Sequence, residues 1–222
     1  MPEPKLALPA DLWQVLSPQL TEERRLKMEN TAKERTERFS LILQDIHHPH
    51  NVSACLRSAE AFGVLNVHVV NRQEAFQASS VAKGVERWLN LSKHTDIASC
   101  VADLRKHSYC IAAAMPNPEH CTTVSELPLD RPLAILFANE HEGMSPDWRP
   151  FVDMYFTIPM VGMVESLNIS VSAAITLHEL TKRSRLHWQD AHVLSPPARN
   201  ALLNQWVAQQ FPHWSDLYQR LR

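Results

Sequence analysis

The chain has 222 residues, 45% of them apolar and 21% charged, with a formal net charge of −2 and a pI near 6.6. That length buries one substantial core, and the reading is a single α/β domain with small appendages. There is no global basic field, so an RNA partner has to be captured by local cationic patches. No apolar run reaches the ~18 residues of a membrane span, and the N-terminus MPEPKLALPADLWQ lacks a charged-then-apolar leader, so a cytoplasmic protein is expected.

Two scarcities narrow the chemistry. Cys55, Cys100, Cys110 and Cys121 form no CxxC pair, so their spacing indicates neither a zinc site nor a disulfide framework. The 4 glycines (Gly63, Gly84, Gly143, Gly162) are far below an average usage of about 7% and build neither GxGxxG nor GxxxxGK[ST]. A nucleotide-like cofactor therefore needs another device.

In chain order, residues 1–38 read as a polar, helix-prone extension in which TEERRLKMENTAKERTER (21–38) opens on a Thr21 cap. FSLILQDI (39–46) is a strand-length apolar run. NVSACLRSAEAFG (51–63) has helical spacing, with Asn51 as N-cap and Gly63 at the left-handed position after the helix. VLNVHVV (64–70) and WLNLSK (88–93) read as strands and IASCVADLRKH (97–107) as a helix. YCIAAAM (109–115) and LAILFAN (133–139) are buried-strand runs, and a short helix is expected near Ser145-Pro146. MYFTIPM (154–160) is the last strand, and 166–184 a long amphipathic helix. Small helices set off by Pro196, Pro197 and Pro212 follow in the tail (187–222). Strands alternating with helices predict a parallel sheet with helices on both faces over 39–186.

Ligands of open parallel sheets bind beyond the carboxyl ends of the strands. Three such ends have unusual composition: DIHHPHNVSACLRSAEAFG (45–63), LFANEHEGMS (136–145) and IPMVGMVESLNISVSAA (158–174). In order and spacing these segments resemble the three signature motifs of the SpoU (TrmH) family of SPOUT RNA ribose 2′-O-methyltransferases. The likeness runs over roughly 39–185. It is greatest to the tRNA guanosine branch, which also has short helices on both flanks.

The resemblance implies S-adenosylmethionine as methyl donor, a trefoil-knotted α/β domain, a homodimer and an RNA substrate, with the D-loop guanosine G18 of tRNA as the expected target. It implies that Asn51 and Arg57 match the polar pair of the first motif, Arg57 being the proposed catalytic residue. Glu140 matches the acid of the second motif, and Ser166 and Asn168 the polar pair of the third. Cofactor contacts, mostly backbone and apolar, are implied at Ala114, Phe137, Ala138, Asn139, Gly143, Ile158, Met160, Met163, Leu167 and Ser172. Ala138 stands where the motif commonly has glycine; one methyl predicts a shifted affinity without loss of function. Arg24 and Arg35 stand where the tRNA branch places basic contacts.

Each of these residues also has a plain use. Arg57 suits a solvated helix face, while Asn51, Ser166 and Asn168 suit caps and Glu140 a loop acid. Joint occurrence in one order separates the two uses. An arginine side chain is in practice a permanent cation, so Arg57 acts as base only if strongly desolvated; otherwise it holds phosphate or a developing alkoxide. His47, His48 and His50 lack an acidic or thiol partner at ligand spacing, and no metal is expected. The stretch 21–38 sets six cations (Arg24, Arg25, Lys27, Lys33, Arg35, Arg38) against five acids, and with Lys182, Arg183 and Arg185 it is the best RNA footprint available. An apolar side of Val171, Ala174, Ile175 and Leu177 suits a dimer interface. Trp188, Trp206, Trp214 and Tyr218 read as packing residues of the tail. The same chemistry on ribosomal RNA or the tRNA anticodon loop, and a catalytically silent knotted RNA-binding protein, are the competing readings.

Overall fold

A computed structural model describes residues 7–72, 84–116 and 121–222; residues 1–6 of the expected N-terminal extension lie outside it. The chain divides into two compact units: Thr36–His192, and the residues up to Arg35 together with Val193–Arg222.

The larger unit is a seven-stranded, wholly parallel sheet among the described residues. In chain order its elements are β1 (Thr36–Gln44), α3 (Pro49–Ala61), β2 (Val64–Val70), β3 (Asn90–His94), α4 (Ile97–Lys106), β4 (Cys110–Ala114), β5 (Thr122–Thr123), β6 (Leu133–Phe137), β7 (Met154–Thr157) and α5 (Ile169–Trp188). The strands stand in the order β3-β2-β1-β6-β4-β7-β5. From β1 the chain runs outward through β2 to β3, then returns to build the other half. The reversal puts the carboxyl ends of β1, β6, β4 and β7 side by side.

Strand periodicity sorts the core into two layers. Leu41, Leu43, Val67, Val69, Ile135 and Phe137 face one side, where Val52, Cys55, Leu56 and Ala59 of α3 and Ile169, Ala173, Leu177 and Leu180 of α5 cover them. Ile42, Val70, Ile111, Ala113, Ala134 and Leu136 face the other, beneath Ile97, Cys100, Val101 and Leu104 of α4 and beneath Trp148. Helices therefore cover both faces, as the alternating pattern predicts.

Local chemistry sets the element ends. The Asp96 carboxylate accepts from Ser99 N at 2.7 Å and starts α4; Asn168 Oδ1 accepts from Ser170 N at 2.9 Å and starts α5. Gly63 has φ +80 just past α3, the left-handed position expected of it. Ser145 and Pro146 open the expected short turn, a 3-10 helix over Pro146–Trp148.

Several boundaries differ from the sequence reading. β1 begins at Thr36, whose Oγ1 donates to the His192 carbonyl at 2.6 Å, so the first strand starts three residues before the expected 39. α5 continues to Trp188, whose indole donates to the Leu129 carbonyl at 3.0 Å and lies under the Arg38 guanidinium, 3.8 Å from the ring centre. The units accordingly divide at 35/36 and 192/193 rather than at 38/39 and 186/187. The two-residue β5 carries no apolar signal and escapes the sequence reading.

The smaller unit joins α1 (Leu12–Leu16) and α2 (Glu22–Lys33) to α6 (Pro196–Ala208) and α7 (Trp214–Leu221). Its core is Leu12, Trp13, Leu16, Met28, Ala32, Leu202, Leu203, Trp206 and Val207. Asn204 accepts from Trp13 N at 2.7 Å and donates to the Ala10 carbonyl at 3.1 Å; the Tyr218 hydroxyl donates to Asp11 at 2.6 Å. Trp206 and Tyr218 are buried packing residues, as expected of the tail aromatics. Thr21 caps α2 as expected, accepting from Arg24 N at 3.3 Å, but the helix ends at Lys33, short of Arg38.

Candidate active site

The first loop leaves β1 through Asp45, which holds a left-handed φ of +48 and is buried. Arg72 explains it: its backbone N–H and Nε donate to the Asp45 carboxylate at 2.9 and 2.8 Å, and Nη2 pairs with it at 2.7 Å. The same guanidinium donates to Ser145 Oγ at 3.0 Å and to Asp147 at 3.2 Å, in the second loop. Gln44 completes the tie, donating to Asp45 at 2.9 Å and accepting from Ser145 N at 3.0 Å. Burial pushes the Asp45 carboxyl upward, but the hydrogen bonds from Arg72 and Gln44 and the Arg72 charge outweigh it and hold it below its ordinary range.

Asn139 folds the second loop. Its side-chain amide donates to the Asp45 carbonyl at 2.9 Å, and its oxygen accepts from His141 N and Glu142 N at 2.7 and 2.8 Å. Gly143 donates back to the Asn139 carbonyl at 3.0 Å with φ +70, a conformation costly for any residue bearing a Cβ. This turn presents Glu140. Its Oε1 accepts a short hydrogen bond from Asn51 Nδ2, and Asn51 Oδ1 in turn accepts from Asn168 Nδ2 at 3.2 Å. One residue from each of the three loops thus meets in a single hydrogen-bonded chain.

Asn51 is therefore not the helix cap expected of it. α3 starts at Pro49, the capping position is His48, and Asn51 lies inside the first turn with its side chain turned to Glu140 and Asn168. Asn168 does both jobs, capping α5 with its oxygen and donating to Asn51 with its amide. Behind this chain, burial and then the Glu140 charge push the Cys55 thiol up to about 12, which removes it as a thiolate nucleophile.

Around the trio, Ala114 and Ile158 are half-buried against the core, where Met115 N donates to the Phe156 carbonyl at 2.8 Å. Phe137 is buried and packs edge-on to Phe156 at 6.3 Å, so its side chain belongs to the core. Ala138 on the second loop, Met160 and Leu167 on the third, and Ser172 in α5 are partly exposed, and Ser172 N donates to the Asn168 carbonyl at 3.0 Å. Met163 and Ser166 are exposed and join no hydrogen-bonded cluster among the described residues. Arg57 is exposed on α3 and makes no hydrogen bond or ion pair to a described residue. Asp45, Gln44 and Arg72 carry no signal in the sequence, because a buried Asp–Arg pair 27 residues apart leaves no local pattern.

Two expected RNA contacts need correction. Arg35 is 1% exposed, its guanidinium 5.5 Å from the centre of the Trp206 ring, so it is a core residue of the helical unit and no phosphate reaches it there. Arg183 donates to the Val124 and Leu127 carbonyls at 3.1 and 2.8 Å and serves the fold. Arg24 remains half-exposed, donating to Gln210 at 3.0 Å.

The model of the SpoU rRNA methylase family matches residues 38–178, more than half the chain, and spans all three loops. The chain belongs to the SpoU methylase family. A tRNA (guanosine(18)-2′-O)-methyltransferase of Thermus thermophilus is 32% identical over 189 residues, 84% of this chain and 97% of that protein. The crystal structure of the A. aeolicus TrmH/SpoU tRNA modifying enzyme superposes with a TM-score of 0.73 at 25% identity, covering 86% of this chain and 98% of that one. The SpoU methyltransferase AviRb from Streptomyces viridochromogenes, solved in complex with AdoMet, shares the fold at a TM-score of 0.61 and 22% identity, over 69% of this chain and 62% of that one.

The loops fit the cofactor of SpoU methylases. Glu140 Oε2 is buried and has no hydrogen-bond partner among the described residues, which leaves an acceptor for a hydroxyl or amino donor. On the third loop, partly exposed Ile158, Met160 and Leu167 supply apolar surface, and the tight 139–143 turn that carries Glu140 supplies backbone groups.

Proposed function

We propose that this chain methylates the ribose 2′-hydroxyl of guanosine 18 in tRNA, acting as a homodimer in the cytoplasm. The observation that carries the reading is the joining of Asn51, Glu140 and Asn168, one from each signature loop, at the carboxyl edge of the sheet. The near full-length likeness to a guanosine-18 enzyme supports tRNA over other RNAs.

Ala114, Ile158, Met160, Leu167 and the backbone of 137–143 would hold S-adenosylmethionine, together with Met163 and Ser172. The bound cofactor supplies a methyl group that is already electrophilic, so methyl transfer itself calls on no metal. The residues then have two tasks. Glu140 and Asn168 grip Asn51 from both sides, fixing which face of its amide donates and which accepts. Arg57, free of internal partners among the described residues, offers a planar set of donors to the phosphate and to oxyanion charge developing on the ribose oxygen. Holding hydroxyl and methyl in line is worth about 7–11 kcal/mol of barrier. Ser166 sits in the same loop as a further polar contact to the substrate.

The apolar side chains of Val161, Met163 and Val164, with Val171 and Ile175 on the first turns of α5, are exposed and follow one another from the third loop into the helix. This surface supports a second copy as its cover. Incubating the protein with labelled cofactor and a tRNA transcript, then mapping methylated riboses, tests the reading. Methylation at G18, abolished in a G18→A transcript, is expected; transfer only to the anticodon loop or to ribosomal RNA, or binding without transfer, refutes it.

A further inference from the structure

Across the sheet from the loops, β2 and β3 carry two histidines beneath α4. His68 and His94 are diagonal neighbours on one face, because His68 is in register with Ser92 and His94 with Val70. Their rings stack at 17° and 5.2 Å, with Nδ1 of His68 3.0 Å from Nε2 of His94. Cys100, fully buried on α4, points into the same place: one nitrogen of each ring and the Cys100 sulfur lie within 4.8 Å of one another.

We propose that His68, His94 and Cys100 bind a single zinc ion that pins α4 to the β2–β3 edge of the sheet. Three features point to it. First, two ring nitrogens that face each other share at most one proton, so at least one ring presents a lone pair, as a metal ligand must. Second, two imidazoles and a thiolate are the donor types zinc takes, at about 2.0–2.1 Å for nitrogen and 2.3 Å for sulfur. Tetrahedral angles then put ligand atoms about 3.3–3.6 Å apart, against 3.0 Å between the two facing nitrogens and at most 4.8 Å among all three ligand atoms here. Third, an orienting partner is in place: the other nitrogen of His94, Nδ1, lies 3.4 Å from Ser99 Oγ, and Ser99 is held by the Asp96 cap. His94 is half-exposed, so water reaches the fourth position from its side.

Loading is balanced by proton movements alone. The sulfur–zinc bond forms as the Cys100 thiol proton leaves to solvent, and the proton between the rings moves to the nitrogen that does not bind the ion. The histidines lie on β2 and β3, whereas the loops that carry the methylase residues follow β1, β6 and β7, so this ion is structural.

Stripping the full-length protein with a chelator and titrating it with zinc by calorimetry tests the site. One zinc per chain is expected. His94→Gln and Cys100→Ser should each weaken it by about 100-fold or more, past the 10–100-fold that an outer-shell loss costs. A variant lacking His47, His48 and His50 should bind as tightly as wild type. Cobalt in place of zinc should give a sulfur-to-metal charge-transfer band in the wild type that Cys100→Ser abolishes; this band reads the site even if His94→Gln does not fold. Absence of stoichiometric binding in the wild type, or binding kept in Cys100→Ser and lost in the triple histidine variant, overturns the proposal.

Discussion

The side-chain amide of Asn51 donates to Glu140 while its oxygen accepts from Asn168, so an asparagine that sequence alone reads as a helix cap is clamped between two other loops. A residue held at both ends of its amide tolerates few replacements. Asn51→Asp has nearly the same shape but sets a second carboxylate against Glu140, and two like charges at that range disfavour ionisation of both. Methyl transfer is expected to fall further in Asn51→Asp than in Asn51→Ala. In a cycle of Asn51→Ala and Glu140→Gln the losses should be non-additive, with a coupling of about 0.5–3 kcal/mol. Single-turnover rates on tRNA measure it; additive losses mean that the two side chains act separately.

Arg57 is exposed and unpartnered among the described residues, so replacing it disturbs no internal contact. Stability is expected to change by no more than about 0.5 kcal/mol in Arg57→Ala or Arg57→Lys. Transfer is expected to drop by about 10² or more in both, since lysine keeps the charge but not the planar donor set. Thermal unfolding and single-turnover assays together make the check; a near-normal rate in either variant makes Arg57 a solvated surface arginine.

The Asp45–Arg72 pair gives the loops a defined pH response. The folded Asp45 carboxyl titrates below its ordinary value, so the unfolded chain binds its proton at higher pH than the native one. Its stabilisation is present above the unfolded carboxylate range and is lost as pH falls through the lower, folded pKa. Asp45→Asn is expected to cost about 1–3 kcal/mol near neutrality. The gap to wild type should close in strong acid, where the protonated carboxyl resembles the amide. Urea unfolding across pH reads it; a gap that stays constant removes Asp45 ionisation from the account.

Arg24 and Arg35 separate by burial. Arg24→Ala is expected to weaken tRNA binding and flatten its salt dependence by about one unit of slope, with cofactor affinity unchanged. Arg35→Ala strips a guanidinium from beside Trp206 and is expected to destabilise the helical unit by about 1–3 kcal/mol. Salt-titrated tRNA binding and thermal melting distinguish them; an Arg35→Ala protein of native stability that binds tRNA poorly returns Arg35 to the surface.

Strand-length apolar runs interrupted by helical spacing determined, by themselves, a parallel sheet covered on both faces. Polar segments after three of those runs marked the loops, because a buried strand can release its polar chemistry only at its ends. Gly63 and the Ser145-Pro146 start were equally legible, since backbone conformation there is a local matter. What the tertiary structure decided was every partner far away in sequence. Asn51 turned from cap to clamp when Glu140 and Asn168 came within reach, 89 and 117 residues on. Arg35 left the basic footprint because α2 stops at Lys33 and the chain carries it under Trp206. Cysteine spacing indicated no metal, yet the β2–β3 pairing and the seat of α4 bring Cys100 to two histidines. Periodicity records which face a residue turns to; which residues meet across that face is fixed by strand order and helix packing.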